Sequence, residues 1–337
     1  MTDTPGDGHT DQIADTDPVA LLFPGQGSQA PGMGRIVFDH SEAARRVFAE
    51  ASDYTHLDIA AICFEGDADA LAETTYTQPA VLTTSIAIVA AMREKLHEVG
   101  RAIRPRLFGG HSLGLFSAAV TAEALTFRDA LFAVLERGRL MSGLNAVRPV
   151  GMASIIGLDA EAVRLLCEQA TGSPEDRVDV ANYNLDNQTV ISGDVAALER
   201  AMDAARAVQG KVIRLKVKVS SHTPLHHAQA EEFAHLIREV PISDPKRPIV
   251  SNRTSELLRT AAEVRHEFEE QLRSPVYWAD NVRRMCEEGV DTFIEVGPGH
   301  VLSRMVKRIS DRLTAISLDD AEVEPFPISI LPPGLAR

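Results

Sequence analysis

The sequence predicts an α/β protein, and three observations carry that expectation. Aromatic residues make up 5% of the 337 residues, with a single tryptophan, while 45% are apolar, which favours aliphatic strands covered by helices over an aromatic-rich β-sandwich. The apolar run Val19–Phe23 reads as a buried strand ending in Pro24-Gly25-Gln26-Gly27-Ser28, a loop whose glycines permit close backbone approach. From Arg106 a second short apolar run enters Gly110-His111-Ser112-Leu113-Gly114 and then an Ala-rich segment through Ala124: a strand, a sharp turn and a helix in succession.

Taken in order, residues 1–17 are rich in Asp, Gly and Thr, cannot bury apolar area, and are expected to form a disordered acidic tail. Strand Val19–Phe23 and strand Arg106–Gly109 follow. Thr126 stands as the N-cap of a helix, with Asp129 in the capping-box position and Ala130, Val134 and Met141 on its apolar face. Between Pro149 and Lys216 the pattern becomes β-α-β-α-β: Met152–Gly157, a helix from Ala160, Val178–Gly193, a helix from Val195, then Lys211–Val217. Two short helices over one sheet predict a ferredoxin-like small subdomain inserted at 149–216. The large subdomain, 18–148 and 217–320, resumes with a helix through Val240, strand Pro248–Ser251, helices Ala261–Leu272 and Tyr277–Glu288, and strand Thr292–Val296. Residues 321–337, with Pro325, Pro327, Pro332 and Pro333, read as a C-terminal arm.

Lys and Arg total 34 against 48 Asp and Glu, and the resulting net charge of −14 works against phosphate backbones and anionic lipid, so no nucleic acid and no membrane partner is expected. The three cysteines, Cys63, Cys167 and Cys286, are isolated and odd in number, which fits neither a zinc spacing nor a disulfide framework and suits a cytoplasmic protein. The acidic N-terminus is the opposite of a signal peptide's basic start. The longest apolar run, Ala80–Met92, is broken by Thr83, Thr84 and Ser85 and falls short of the ~20 residues that span a bilayer.

The chemistry centres on Gly110-His-Ser112-Leu-Gly114, a G-x-S-x-G pentapeptide in the strand-to-helix setting of a nucleophile elbow. Glycines flanking Ser112 relieve crowding at the turn, so its hydroxyl projects above the sheet while helix N-terminal N–H groups face a reacting carbonyl. A serine nucleophile needs a base, and eleven histidines compete. His222 is the best placed: Thr223-Pro224 after it reads as an N-cap and first helical residue, and a helix N-terminus disfavours imidazolium and keeps the ring ready to accept a proton. His226 and His227 are expected on a helix surface. Arg137 shares a helix face with Ala130, Ala133, Val134 and Met141, so a guanidinium points where apolar groups belong and needs an anion: an internal carboxylate or a substrate's.

The chain resembles the malonyl-CoA:acyl-carrier-protein transacylase family from about Leu21 to Leu318. The resemblance is carried by Phe23-Pro-Gly-Gln-Gly-Ser-Gln29, Thr77-Gln-Pro-Ala80, Gly110-His-Ser-Leu-Gly114, Arg137-Gly138, Asn182-Tyr-Asn184, Ser221-His222, Gln271 to Pro275 and Glu295-Val-Gly-Pro-Gly299. It implies Ser112 and His222 as a catalytic dyad, the main-chain carbonyl of Gln271 orienting the histidine, and the N–H groups of Gln26 and Leu113 as oxyanion donors. It also implies Arg137 as the group that binds a malonyl carboxylate, and Asn182 and Gln78 lining the acyl or pantetheine region. At Leu115 and Phe116 the chain departs from the commoner Glu and aromatic, which touches partner surface or chain-length preference rather than proton transfer.

These readings together predict an α/β-hydrolase-like large subdomain with an inserted ferredoxin-like small one and the active site in the cleft between them. The implied reaction is ping-pong transfer of a malonyl-type group from coenzyme A to the phosphopantetheine thiol of an acyl carrier protein, by a monomer without a bound cofactor or metal. Two alternatives share the fold: the transacylase subunit of a malonate decarboxylase, with which Ser251-Asn-Arg253 is compatible, and a hydrolase clearing acyl chains from carrier proteins, which an intact Arg137 disfavours. Because carrier proteins are acidic and this chain is too, docking needs a local basic patch, with Lys307 and Arg308, or Arg101, Arg104 and Arg106, as candidates.

Overall fold

The computed structural model describes residues 16–320 apart from 68 and 218. In chain order its elements are β1 (Asp17–Phe23), α1 (Arg35–His40), α2 (Glu42–Thr55), α3 (Ile59–Glu65), α4 (Thr74–Glu98), β2 (Pro105–Gly110), α5 (Gly114–Thr121) and α6 (Phe127–Val147). Then come β3 (Val150–Ile156), α7 (Ala160–Ala170), β4 (Val178–Leu185), β5 (Gln188–Asp194), α8 (Val195–Ala207) and β6 (Lys211–Arg214). The chain closes with α9 (His227–Glu239), β7 (Ile249–Val250), β8 (Leu257–Leu258), α10 (Ala261–Glu270), α11 (Trp278–Glu287), β9 (Thr292–Glu295), α12 (Val301–Ile309) and β10 (Thr314–Ser317).

The larger sheet has the order β10-β9-β1-β2-β7-β8, parallel except at the β7–β8 edge. β1 lies inside it, and its run of consecutive buried residues is what a parallel strand covered on both faces requires. Alternate side chains serve two cores: Val19, Leu21 and Phe23 pack with Phe48, Leu82 and Phe116, while Ala20 and Leu22 pack with Trp278, Phe293 and Leu302. Each large aliphatic side chain so buried contributes about 1.5–3 kcal/mol. The apolar run Ala80–Met92 becomes the middle of α4, buried between α2 and α6. Among the described residues no helix is long and apolar enough to cross a membrane. Asp17, expected in the acidic tail, already belongs to β1; residues 1–15 and the arm at 321–337 lie outside the described residues.

The smaller sheet has the antiparallel order β4-β5-β3-β6 with α7 and α8 packed on one face. The stretch Val178–Gly193, expected as one strand, is a hairpin: β4 and β5 turn at Asp186-Asn187, so the unit is β-α-β-β-α-β and ferredoxin-like with four strands rather than three. The uncovered face, including Met152 and Val190, turns toward the larger unit. β4 also joins that unit directly: Tyr183 N–H donates to Val276 O at 2.8 Å, Val276 N–H to Ala181 O at 2.9 Å, and the Tyr183 and Tyr277 rings stack at 4.9 Å.

Candidate active site

β2 ends at Gly110, and the chain reverses into α5 within three residues. Ser112 takes φ 53°, a left-handed conformation that costs a side-chain-bearing residue of order 1–3 kcal/mol. Position 114 must be glycine, because a Cβ there would stand 2.0 Å from Phe23 O on the neighbouring strand. The turn presents the Ser112 hydroxyl 2.6 Å from His222 Nε2.

His222 is buried, sits at φ 61°, and is anchored on the turn that follows α10. Its N–H donates to Leu272 O at 2.8 Å, and its Nδ1 lies 2.9 Å from Gln271 O and 3.1 Å from Ser274 O. Two carbonyls accept and cannot donate, so Nδ1 carries the hydrogen and Nε2 offers its lone pair to Ser112. Burial first, then the Arg137 charge, pushes the ring's pKa down to about 3, leaving it neutral at pH 7. Thr223 takes the N-cap place with Pro224 in the first turn, as expected, but the turn is a three-residue 3-10 helix, Pro224–His226, and Thr223 makes no side-chain cap bond. His226, expected at the surface, is fully buried with Nε2 2.7 Å from Ser220 Oγ, and burial lowers its pKa to about 4; His227 is exposed as expected.

Arg137 is 1% exposed on α6. Its Nη2 donates to Ser112 Oγ at 3.0 Å and its Nη1 to Gln78 Oε1 at 3.1 Å, with Met141 Sδ at 3.3 Å from Nη1 and, among the described residues, no partner on Nε. Among the described residues no carboxylate pairs with it, which sets aside the internal ion pair. Burial lowers its pKa to about 9, so it remains charged at pH 7. Gln78 is corrected from a lining role: it sits behind the guanidinium and holds it, and is not part of the cleft wall.

The cleft between the two sheets has a volume of about 500 Å³ and takes in Ser112, His222, Arg137, Gln26 and Asn182. Lys216 also lines it, and among the described residues no carboxylate does. Asn182 is buried on β4, and among the described residues its Nδ2 has no partner. The Gly25–Gln26 loop packs onto the elbow, since a Cβ on Gly25 would lie 2.4 Å from His111 O and 3.6 Å from Leu113 N. Among the described residues neither the Gln26 nor the Leu113 N–H has an acceptor, so both are free to donate to a ligand oxygen. Leu115 and Phe116 lie in the core, Phe116 stacked on Phe268 at 4.2 Å, so neither forms partner surface or cleft wall.

Lys307 and Arg308 are exposed on α12, whose Val301, Leu302 and Met305 line the cleft, and Arg308 Nη1 reaches Gln188 Oε1 on the small sheet at 2.6 Å. Arg101, Arg104 and Arg106 cluster at the opposite end of β2 from Ser112, and Arg106 is committed to the carbonyls of Glu288 and Gly289. Sequence reasoning missed Ser274, His111 with its 2.9 Å bond to Asn184, the Gln271 side chain and Asn252. His111, Asn184, Gln271 and Ser274 stand inside motifs quoted above and Asn252 just after a strand, but no local pattern pointed to these contacts.

The acyl transferase domain family matches residues 20–324. The malonyl CoA-acyl carrier protein transacylase of Bacillus subtilis is 38% identical over 314 residues, 93% of this chain and 97% of that one. The protein of the same description from Escherichia coli K12 is 36% identical over 302 residues, 89% of this chain and 96% of that one. Among solved structures, the malonyl CoA-acyl carrier protein transacylase from Coxiella burnetii superposes with a TM-score of 0.85 at 33% identity, covering 90% of this chain and 94% of that one. A type II PKS acyl-carrier protein in complex with its malonyl-transacylase gives 0.84 at 36% identity, covering 90% and 96%. Fold and family make the chain an acyltransferase. It belongs to the malonyl-CoA:acyl-carrier-protein transacylase family.

Proposed function

We propose that the chain moves a malonyl-type group from coenzyme A to the phosphopantetheine thiol of an acyl carrier protein through a malonyl-Ser112 ester. One observation carries the reading: the Arg137 guanidinium, charged and buried without a carboxylate partner among the described residues, stands 3.0 Å from the Ser112 hydroxyl. Leaving such a charge unpaired costs several kcal/mol, and a substrate carboxylate restores a charge-assisted, two-pronged pairing beside the reacting atom. An uncharged acyl chain would leave it orphaned, which disfavours the hydrolase. The relatives' names, and the neighbour bound to a carrier protein, support the same substrate pair.

In the first half-reaction His222 Nε2 takes the Ser112 proton as the Ser112 oxygen bonds to the thioester carbon. The carbonyl electron pair rests on oxygen against the Leu113 and Gln26 N–H groups. It returns as the C–S bond breaks, and His222 passes the proton to the departing coenzyme A sulfur. In the second, His222 takes the proton from the carrier's thiol, the thiolate sulfur bonds to the ester carbon, and Ser112 leaves as alkoxide and recovers the proton. Main-chain carbonyls suffice behind His222 because a thiol acceptor is acidic and its thiolate a strong nucleophile. Coenzyme A is thus a substrate, not a resident cofactor. Lys307 and Arg308, at the cleft rim, are the proposed docking cations. The test is intact mass after incubation with malonyl-, methylmalonyl- and acetyl-CoA: the expected result is a malonyl-type adduct in the wild type and none in Ser112→Ala, and a mutant adduct at the normal rate would overturn the assignment.

A further inference from the structure

The elbow's strained turn needs something to hold it, and the side-chain bonds to the main chain around Ser112 come from one stretch, residues 251–274. Ser112 N–H donates to Asn252 Oδ1 at 2.7 Å, and Asn252 Nδ2 donates to Gly110 O at 2.7 Å, so one amide spans the peptide groups on either side of His111. The placement follows from register. β2 pairs with β7 at Phe108 and Ile249, and where the main chain leaves that ladder after Val250, the Asn252 side chain continues it. Asn252 is itself fixed: its N–H donates to Glu267 Oε1 at 3.0 Å, its carbonyl accepts from Tyr277 N–H at 2.8 Å, and it has no exposed surface. The Ser112 carbonyl accepts from Leu115 N–H at 3.0 Å and from Gln271 Nε2 at 3.1 Å. Gln271 is the residue whose own carbonyl holds His222 Nδ1. Its side chain therefore grips the nucleophile's peptide while its main chain grips the base.

From this geometry we infer that the side chains of Asn252 and Gln271 are positioning residues: a brace that holds the Ser112 turn left-handed and sets its register with His222. The inference rests on reading Ser112 as nucleophile and His222 as base. Neither side chain lines the cleft, so the brace acts on reactivity and not on substrate contact. It also settles a division of labour among the N–H groups. Ser112's own is committed to Asn252, which leaves the developing oxyanion to Leu113 and Gln26.

The test uses the full chain and a small sulfonyl fluoride, which reports the reactivity of a serine paired with a base and needs neither malonyl-CoA nor a carrier protein. Asn252→Ala removes both elbow bonds. Gln271→Met removes the donor with little change of shape and retains the carbonyl on His222, and it keeps the test decisive if the alanine variant fails to fold. Expected are a labelling rate and kcat down about 10²-fold in Asn252→Ala and about 10-fold in Gln271→Met, with KM for malonyl-CoA within twofold and the Gln271→Met unfolding midpoint near that of the wild type, since small misplacements of reacting groups have effects of this size. Wild-type labelling rates in folded Gln271→Met, or a change confined to KM, would overturn the brace. A label found in the wild type on a residue other than Ser112 would overturn the nucleophile reading, and the brace with it.

Discussion

Two charges lie equally deep in the large subdomain, Arg137 at 1% exposure and Glu267 at 2%, and their surroundings differ completely. Glu267 has Ser251 Oγ at 2.6 Å, Asn252 N–H at 3.0 Å and Arg253 Nε at 3.3 Å, so its charge is answered within the protein. Burial still pushes its pKa up, against those lowering contacts. Arg137 touches an amide oxygen, a thioether and the Ser112 hydroxyl, all neutral. A buried charge with a full set of partners is architecture, whereas one surrounded by neutral groups in a cleft wall marks where a ligand's opposite charge belongs.

Substituting both residues breaks or sharpens that contrast, and the largest effect is expected at Arg137. Arg137→Ala should lower kcat/KM for malonyl-CoA by about 10²–10³-fold while acetyl-CoA, which lacks the carboxylate, falls far less. Glu267→Gln keeps the shape but weakens the answered network, so it should cost about 1–3 kcal/mol of stability and leave the malonyl-to-acetyl ratio unchanged. Steady-state kinetics with both thioesters and denaturant unfolding decide it. A constant ratio in Arg137→Ala accompanied by lost stability would make the two charges alike, and Arg137 structural.

A smaller effect follows from the Arg137 charge acting on His222. That charge helps hold the imidazole's pKa down at about 3, and a bound malonyl carboxylate would cancel it, raising the pKa in the complex. The acid limb of kcat should therefore lie at higher pH than that of kcat/KM, and Arg137→Ala should bring the two together. Stability carries the same sign. His111, His222 and His226 all have folded pKa values below the ordinary 6.5, so below that pH the unfolded chain takes up protons that the folded one refuses. Stability should be full above about pH 6.5 and fall as pH drops toward 4, by roughly 1 kcal/mol per pH unit for each of His222 and His226. Urea midpoints across that range check it, and midpoints unchanged between pH 7 and 5 would count against the buried neutral rings.

The smallest effect is expected at the surface. Lys307→Glu should raise KM for the carrier protein about three- to tenfold and spare self-acylation from malonyl-CoA, because rim charges act on encounter. Arg101→Glu, at the far end of β2, should change neither. Equal losses in both half-reactions of Lys307→Glu would remove α12 as the docking surface.

How far the sequence is legible depends on how local the cause is. The elbow is written in five consecutive residues, because glycines, a serine and the helix after it meet their constraints within one turn. The hairpin at Asp186-Asn187 is nearly as local but hides inside a continuous run of buried residues, where periodicity cannot separate one long strand from two short ones. Helix α4 leaves a weaker trace still, since it is buried on nearly every side and has no apolar stripe to read. Helical phase located Arg137 inside, but the same phase could not reveal Gln78, 59 residues away, as its support.

The sequence by itself determined the class of fold, the elbow that carries Ser112, the proposed base His222, and the presence of one cation where apolar groups belong, all consequences of short-range pattern and residue chemistry. Tertiary structure alone decided that among the described residues Arg137 has no carboxylate partner, that burial and the Arg137 charge push the His222 pKa down, that His226 is core, and that Asn252 and Gln271 bond to the main chain of the elbow. Each of these depends on which groups meet after the chain has folded. The bond between Ser112 and Gln271 closes a separation of 159 positions, and no local pattern encodes a meeting that distant.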